Sequence, residues 1–259
     1  MSFLLAITIM SFNLRNGQKD DGANSWQYRQ EACAAAVMDV CPDFVGFQEN
    51  TLPQDTFMSY TLKRYAHVAV GRETTNPVTE SNAIYYLRSK YHLVQTNTFW
   101  LSETPNVCSK GWDGKYPRVA TYAVLEHRTT HRQYLVINTH LDHQGVNARR
   151  ESMQLISDTI AALQQRYPAM PTFLMGDLNV TPDDEALSPT RRTMLSAQET
   201  LSVTDITFHG WGKDSTKGKI IDYIFYQNAT PTRFEVWHKN YGVPFLSDHY
   251  PIVTQFKHK

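Results

Sequence analysis

The stretch PTFLMGDLNVTPDD, residues 171–184, constrains this chain more than any other. Phe173, Leu174 and Met175 form a short apolar run entered from Pro171, which predicts a buried strand. Gly176 permits a backbone turn that a side chain resists, so the strand is expected to stop there. Asp177 and Asn179 then lie on the emerging loop. Leu178 turns back to the core, and the two polar residues, two apart, share a direction. A carboxylate beside an amide at the end of a buried strand suits proton transfer or the holding of a metal-bound oxygen. The same pair also suits a plain Asx turn.

The pattern recurs along the chain. Residues 3–13 are strand-like and end in Ser11, Asn13 and Arg15. A helix is predicted from an N-cap at Ser25 to Val40, with Ala32, Ala35, Ala36 and Val37 as its inner face and Pro42 ending it. Phe44–Phe47 reads as a second strand, with Gln48, Glu49 and Asn50 directly after it. A helix over 52–65 and strands over 67–70, 83–87 and 91–101 follow, with Glu80 and Asn82 where the 83–87 strand begins. The loop 102–117 is long enough to suggest a function. Arg118 opens the next strand, and 134–138 leads into His140 and His143. Residues 147–166 carry helical spacing, with Met153, Ile156, Ile160 and Leu163 on one face. A polar helix-and-loop region extends to about residue 203. Ile220–Tyr226 is a strand with one misplaced charge, Asp222, and Ser247-Asp248-His249 precedes a closing strand over 252–256. No linker or repeat interrupts this order, so one domain spanning residues 1–259 is expected.

Composition narrows the class. The chain has 259 residues, 41% hydrophobic and 19% charged, with Lys+Arg and Asp+Glu both at 25. That balance provides no overall basic field for nucleic acid and no acidic tail, although a locally basic groove stays open. Three cysteines, Cys33, Cys41 and Cys108, lack paired metal-ligand spacing and fit a reduced compartment. The apolar stretch Phe3 to Met10 is short and has no basic flank, so it reads as a strand rather than a signal sequence. No run approaches the roughly 18 apolar residues of a membrane span. The expectation is a cytoplasmic enzyme with no obligate protein partner.

Taken singly, the polar strand-end residues have plain structural roles as turn formers, helix caps or surface imidazoles. Together they suggest chemistry. A carboxylate inside IIDYIFY is costly unless paired, and His249 is a suitable partner, since a carboxylate fixing one imidazole nitrogen leaves the other free. Glu49, Asp248 and Asn13 are hard oxygen donors, a set that suits Mg²⁺ or Mn²⁺ better than zinc.

The ordered motifs Asn13 in MSFNLR, Gln48-Glu49, Asn138-Thr139-His140-Leu141, Gly176-Asp177-Leu178-Asn179, Ile221-Asp222-Tyr223 and Ser247-Asp248-His249 resemble the endonuclease/exonuclease/phosphatase superfamily. The resemblance spans nearly the whole chain. It implies an α/β, deoxyribonuclease I-like fold: a four-layer sandwich of two mixed β-sheets flanked by helices, with a cleft at one end. It also implies roles. Glu49 binds the divalent cation with Asn13 and Asp248, and His249, oriented by Asp222, activates water or holds the phosphate. Asp177 handles the proton, Asn179 fixes the phosphoryl oxygens and His140 contacts the phosphate.

Arg118 is a further candidate phosphate clamp, and Glu80 and Asn82 are candidates for the cleft border. The stretches Thr98–Glu103, Ser109–Asp113 and Phe208–Trp211 resemble those of a bacterial subgroup of the superfamily, and make Trp112 and His209 candidate substrate contacts. Trp100 is read as packing. The expected activity is metal-dependent hydrolysis of a phosphodiester in a small, sugar-linked or lipid-linked phosphorylated substrate. A nuclease acting on DNA or RNA is the second reading and a non-catalytic binding module the third.

Overall fold

Strict alternation of side chains along a few central strands sets the layers of this molecule. In β8 (Thr172–Asp177), Phe173 and Met175 belong to one buried cluster and Leu174 to another. β7 (Gln133–His140) and β10 (Asp222–Gln227) alternate in the same way: Tyr134, Val136, Ile224 and Tyr226 share the first cluster, and Leu135, Ile137, Tyr223 and Phe225 the second. Strands apolar on both faces must be covered on both faces. One face meets a second sheet, and the other meets α3 (Val146–Arg166), whose Met153, Ile156, Ile160 and Leu163 fill the second cluster.

The computed structural model describes residues 6–212 and 218–257, so the first residues of the expected 3–13 strand lie outside the described ones. The first sheet has the order β11-β12-β1-β2-β4-β3, built from β1 (Ile7–Asn13), β2 (Phe44–Asn50), β3 (Tyr65–Val68), β4 (Ser81–Leu87), β11 (Thr230–Val236) and β12 (Ile252–Lys257). The second has the order β5-β6-β7-β8-β10-β9, adding β5 (Tyr91–Trp100), β6 (Val119–His127) and β9 (Leu195–Ser196). Each sheet contains one parallel pair, β1 with β2 and β7 with β8, and is otherwise antiparallel. Together with α1 (Trp26–Val40) and α2 (Leu52–Thr61), these elements form the expected deoxyribonuclease I-like sandwich. Among the described residues no helix is long and apolar enough to cross a membrane.

The sheets approach closely near the site. A Cβ on Gly46 of β2 would stand 2.7 Å from Met175 Cε and 2.9 Å from Asn138 Cγ, so a side chain there has no room. Asn138 of β7 crosses the gap, donating to Phe47 O and Ala83 O at 2.8 Å each and accepting from Gln48 Nε2 at 2.7 Å. These bonds fix the sheets' register at the end where the polar residues collect.

Local readings shift where pairing overrides propensity. β8 does not stop at Gly176 but runs through it to Asp177, with Gly176 at φ +148° because a Cβ would meet Thr139 O at 1.9 Å. Glu49 lies inside β2, at an irregularity in its pairing with β4, rather than beyond the strand. α2 ends at Thr61 because Tyr65–Val68 pairs with β4 as β3. The two-residue β9 and the whole of β11 had no sequence-based expectation. β11 is polar on alternate positions and gains its place by pairing with β12.

Candidate active site

Register brings the ionisable residues of the second sheet into one row. His140 pairs with Asp177, and Asp177 with Asp222, so three neighbouring strands present these side chains from one face. That face continues Phe173 and Met175 and points toward the other sheet. His249, from the segment before β12, completes the group. Its Nδ1 lies 2.8 Å from Asp222 Oδ2 and its Nε2 3.6 Å from Asp177 Oδ2, while His140 Nε2 lies 3.4 Å from the same Asp177 oxygen. The Phe208 ring packs edge-on against His249 at 4.9 Å.

The electrostatics of the group follow from burial and neighbours. Burial pulls the His249 imidazole down, but the Asp222 and Asp177 carboxylates outweigh it and raise the pKa to about 10. Burial raises the Asp177 carboxyl to about 7; His249 opposes that rise, while Asp222 and Glu49 add to it. His140 is driven well below the usual imidazole range by burial and by the cations Arg118, Arg72 and His249. The site therefore holds one imidazolium, one neutral imidazole and a carboxyl that titrates near neutrality.

The first sheet supplies oxygen donors opposite this row. Asn13 ends β1, and its Nδ2 donates to Asp177 Oδ2 at 3.0 Å and to Glu49 Oε1 at 3.3 Å, bridging the two sheets. Glu49 adopts φ +54°, a left-handed backbone that costs energy in a non-glycine residue and turns the strand end. Its Oε2 accepts from the Asn16 amide at 2.6 Å. Asp248 faces Arg15 Nη1 at 3.6 Å. Among the described residues Glu49 has no ion-pair partner, so its charge is left for a cation.

Glu49 and Asp248 offer carboxylate oxygens that fit a hard divalent ion, while Asn13 turns its Nδ2 to Glu49 and Asp177 and its Oδ1 to the Arg15 N–H, and so braces Glu49 from behind. Asp177, Asp222 and His249 also crowd within 4.8 Å of one another. However, the hydrogen bond between Asp222 and His249 takes up Nδ1, and that trio is better described as an oriented imidazole than as a metal cage.

Around these groups opens a cleft of about 550 Å³, within the range of small-molecule sites. Glu49, His140, Asp177, Asn179, Asp248 and His249 line it, as do Glu80 and Arg118 on its border. Asp222 lies behind His249. Asn179, at φ +52°, donates its backbone N–H to Asp177 Oδ1, so the Asx turn and the cleft-facing position coexist.

Three expected substrate contacts do not line the cleft. Asn82 is buried and spends its amide on Val119 O, tying β4 to β6. Trp112 is held outside by its loop, where its backbone N–H donates to Glu103. His209 is buried and packed at a tilt against the Phe245 and Tyr250 rings, and burial followed by the nearby His249 lowers its pKa to about 4. Trp100 donates to Arg72 O, a packing role as expected.

Asn16, Arg72, Tyr116 and His143 also line the cleft. The long loop 102–117 and the His140–His143 run hinted at two of these. No local signal marks Arg72, which reaches the site because Gly71 bridges to Ser81, after which Arg72 pairs with Glu80 at 2.6 Å.

Comparison with known proteins agrees with the geometry. The profile of the Endonuclease/Exonuclease/phosphatase family matches residues 10–249. No curated protein sequence matches this chain. An endonuclease/exonuclease/phosphatase from Bacteroides vulgatus shares 30% identity at a TM-score of 0.90, covering 98% of this chain and 100% of its own. A mannosyl-6-phosphatase from Bacteroides thetaiotaomicron shares 29% identity at a TM-score of 0.89, covering 96% and 99%. The human Nocturnin catalytic domain, solved with a bound sulfate anion, shares the fold at 20% identity and a TM-score of 0.72, covering 97% and 94%. With the family profile spanning nearly all of its length, this chain belongs to the Endonuclease/Exonuclease/phosphatase family.

Proposed function

We propose that this chain is a divalent-metal-dependent phosphoester hydrolase acting on a small phosphorylated molecule, with a sugar phosphate as the first substrate class. The observation that carries the choice of a small substrate is the charge balance of the cleft. Arg15 faces Asp21 and Asp248, Arg72 faces Glu80, and Arg118 lies 3.8 Å from Asp142, so each cleft guanidinium is matched by a carboxylate of its own. A groove that tracks a polynucleotide needs a run of uncompensated cations. Among the described residues of the cleft, the cations without a paired carboxylate are the exposed Lys19 and Lys219 at the rim. The similarity to a mannosyl-6-phosphatase supports the same direction.

In this reading Glu49, braced by Asn13, and Asp248 would hold Mg²⁺ or Mn²⁺, which would supply Lewis-acid stabilisation of phosphoryl charge when bound. The chain's own residues do the rest. The His249 imidazolium, held at Nδ1 by Asp222, offers Nε2–H to a phosphoryl oxygen. Asp177 takes the proton of the attacking water, since its carboxyl titrates near working pH. Asn179, Arg118 and neutral His140 donate to the remaining oxygens and hold the ester in line.

The test is hydrolysis of hexose 6-phosphates, p-nitrophenyl phosphate and bis(p-nitrophenyl) phosphate beside a single-stranded oligonucleotide, with Mg²⁺ or Mn²⁺ and then with chelator. Chelator-sensitive turnover of the small esters, at kcat/KM at least about tenfold above cleavage of the oligonucleotide, is expected. Preferential cleavage of the oligonucleotide, weakening steeply with salt, would replace this reading with the nuclease one.

A further inference from the structure

Arg29 is 2% exposed, among the largest fully buried side chains, and has no carboxylate partner among the described residues. A buried charge without a counterion is costly, so what surrounds it must compensate. Its Nη1 donates to Leu14 O at 2.6 Å and to Leu246 O at 2.8 Å, its Nη2 to Arg15 O at 3.1 Å and its Nε to Asn24 O at 2.8 Å. The guanidinium lies 5.1 Å from the ring centre of Trp26 and 5.5 Å from that of Trp211, two cation–π contacts in place of an ion pair. Trp26 and Cys33 share its helical face, and Cys33 Sγ also reaches Leu246 O at 3.1 Å.

The position of these carbonyls in the chain gives the arrangement its meaning. Leu14 and Arg15 directly follow Asn13, in a turn where Arg15 has φ +55° and donates its N–H to Asn13 Oδ1 at 2.9 Å. Leu246 lies two residues before Asp248. These are the two chain segments that set Asn13 against Glu49 and place Asp248 on the cleft wall, and both leave the sheet ladder there with carbonyls that need donors. One planar fork with donors on several sides satisfies them together, which neither an ammonium nor an apolar side chain can do.

We propose that Arg29 is a positioning residue: it clamps the Asn13–Arg15 turn to the Leu246–Asp248 segment and so sets the spacing of the oxygen donors that hold the cation. This rests on the reading of Asp248 and of Glu49, braced by Asn13, as the cation site. Arg29 touches neither ion nor substrate.

Titration calorimetry with Mn²⁺, without substrate and well below the unfolding temperature, tests it on the wild type, Arg29→Met, Arg29→Lys, Trp211→Ala and a control, Leu163→Ala. Leu163 projects from α3 into the second core cluster and is distant from the clamp in sequence and cluster. Arg29→Met is expected to weaken Mn²⁺ binding at least about tenfold, with Arg29→Lys in between because it keeps the charge and loses the fork. Trp211→Ala removes one face of the sandwich from a half-exposed loop, and is expected to fold and weaken binding about threefold if Arg29→Met does not fold. Activity at saturating ion should recover most of the wild-type kcat.

Affinities in the Arg29 and Trp211 variants equal to wild type, or a loss no greater than in Leu163→Ala, would overturn the clamp. Absence of Mn²⁺ binding in the wild-type protein would instead remove the cation-site reading on which it rests.

Discussion

On the Asp177 carboxylate, Asn13 Nδ2 and the Asn179 amide donate while two imidazoles stand within 3.6 Å of Oδ2. Burial holds its proton to about pH 7. Asp177→Asn keeps the shape and removes the proton acceptor, and its turnover is expected to fall at least ~100-fold with the melting temperature nearly unchanged. Steady-state rates beside a thermal melt check this, and near-normal turnover would end the assignment. Asp222 acts one step back, through His249. The imidazolium is present below its raised pKa of about 10 and is lost as pH rises through that value, so Asp222 controls the alkaline limb of the rate profile. In Asp222→Asn that limb should move toward neutrality, read from kcat/KM against pH. A limb that stays in place would make Asp222 a structural residue only. Asp177 and Asp222 are both legible in the sequence because a charge in or at the end of an apolar strand stands out. Arg72 is not, because nothing in its local sequence distinguishes it from a surface arginine.

At the scale of elements, the polar residues are carried by strand ends whose geometry is backbone-driven. Gly176 of β8 passes so close to Thr139 of β7 that a Cβ has no room. Gly176→Ala is expected to lower the melting temperature by roughly 5–10 °C, from about 2–3 kcal/mol of strain and displaced pairing in a chain of this size. It should also cost activity, because the row His140, Asp177, Asp222 depends on that pairing. A wild-type melt would show that the strands can separate freely there.

The long loop 102–117 is tied to the start of α3 by Asp142, which accepts backbone N–H from Lys115, Tyr116, Gln144 and Gly145. Burial alone would raise this carboxyl, but the four donors outweigh it and hold the pKa near 2. A folded pKa below the unfolded value contributes stability that is fully present above about pH 4 and lost as pH falls toward 2. Acid melts of wild type against Asp142→Asn should therefore converge in that window and differ at neutral pH. Parallel curves across the whole range would exclude the linkage. The loop itself is legible from its length and its glycines, while its anchor, Asp142, reads as one polar residue in a polar run.

For the whole molecule, the site exists only where two sheets meet. Asn138 and Gln48 cross-link them through buried hydrogen bonds, and Gly46 lets them close. Asn138→Leu leaves Phe47 O and Ala83 O without their donor, at a cost of about 1–3 kcal/mol for each bare buried carbonyl. Chemical denaturation should show a lower midpoint with an unchanged slope, and an unshifted midpoint would mean that the sheets are held elsewhere. The sequence by itself determined the strands at the centre of each sheet, the inner face of α3 and nine of the cleft-lining or backing polar residues, because apolar periodicity and misplaced charges are local signals. It also carried the family, through six short motifs in order. What only the tertiary structure decided was distance. β11 joined a sheet through pairing with β12 rather than through its own composition. Asn82, Trp112 and His209 left the cleft because a backbone carbonyl, a loop carboxylate and a pair of aromatic rings, respectively, took them first. Arg72 and Arg29 took their places because carboxylates and carbonyls from distant segments converged on them, and convergence of groups far apart in the chain leaves no mark in local sequence.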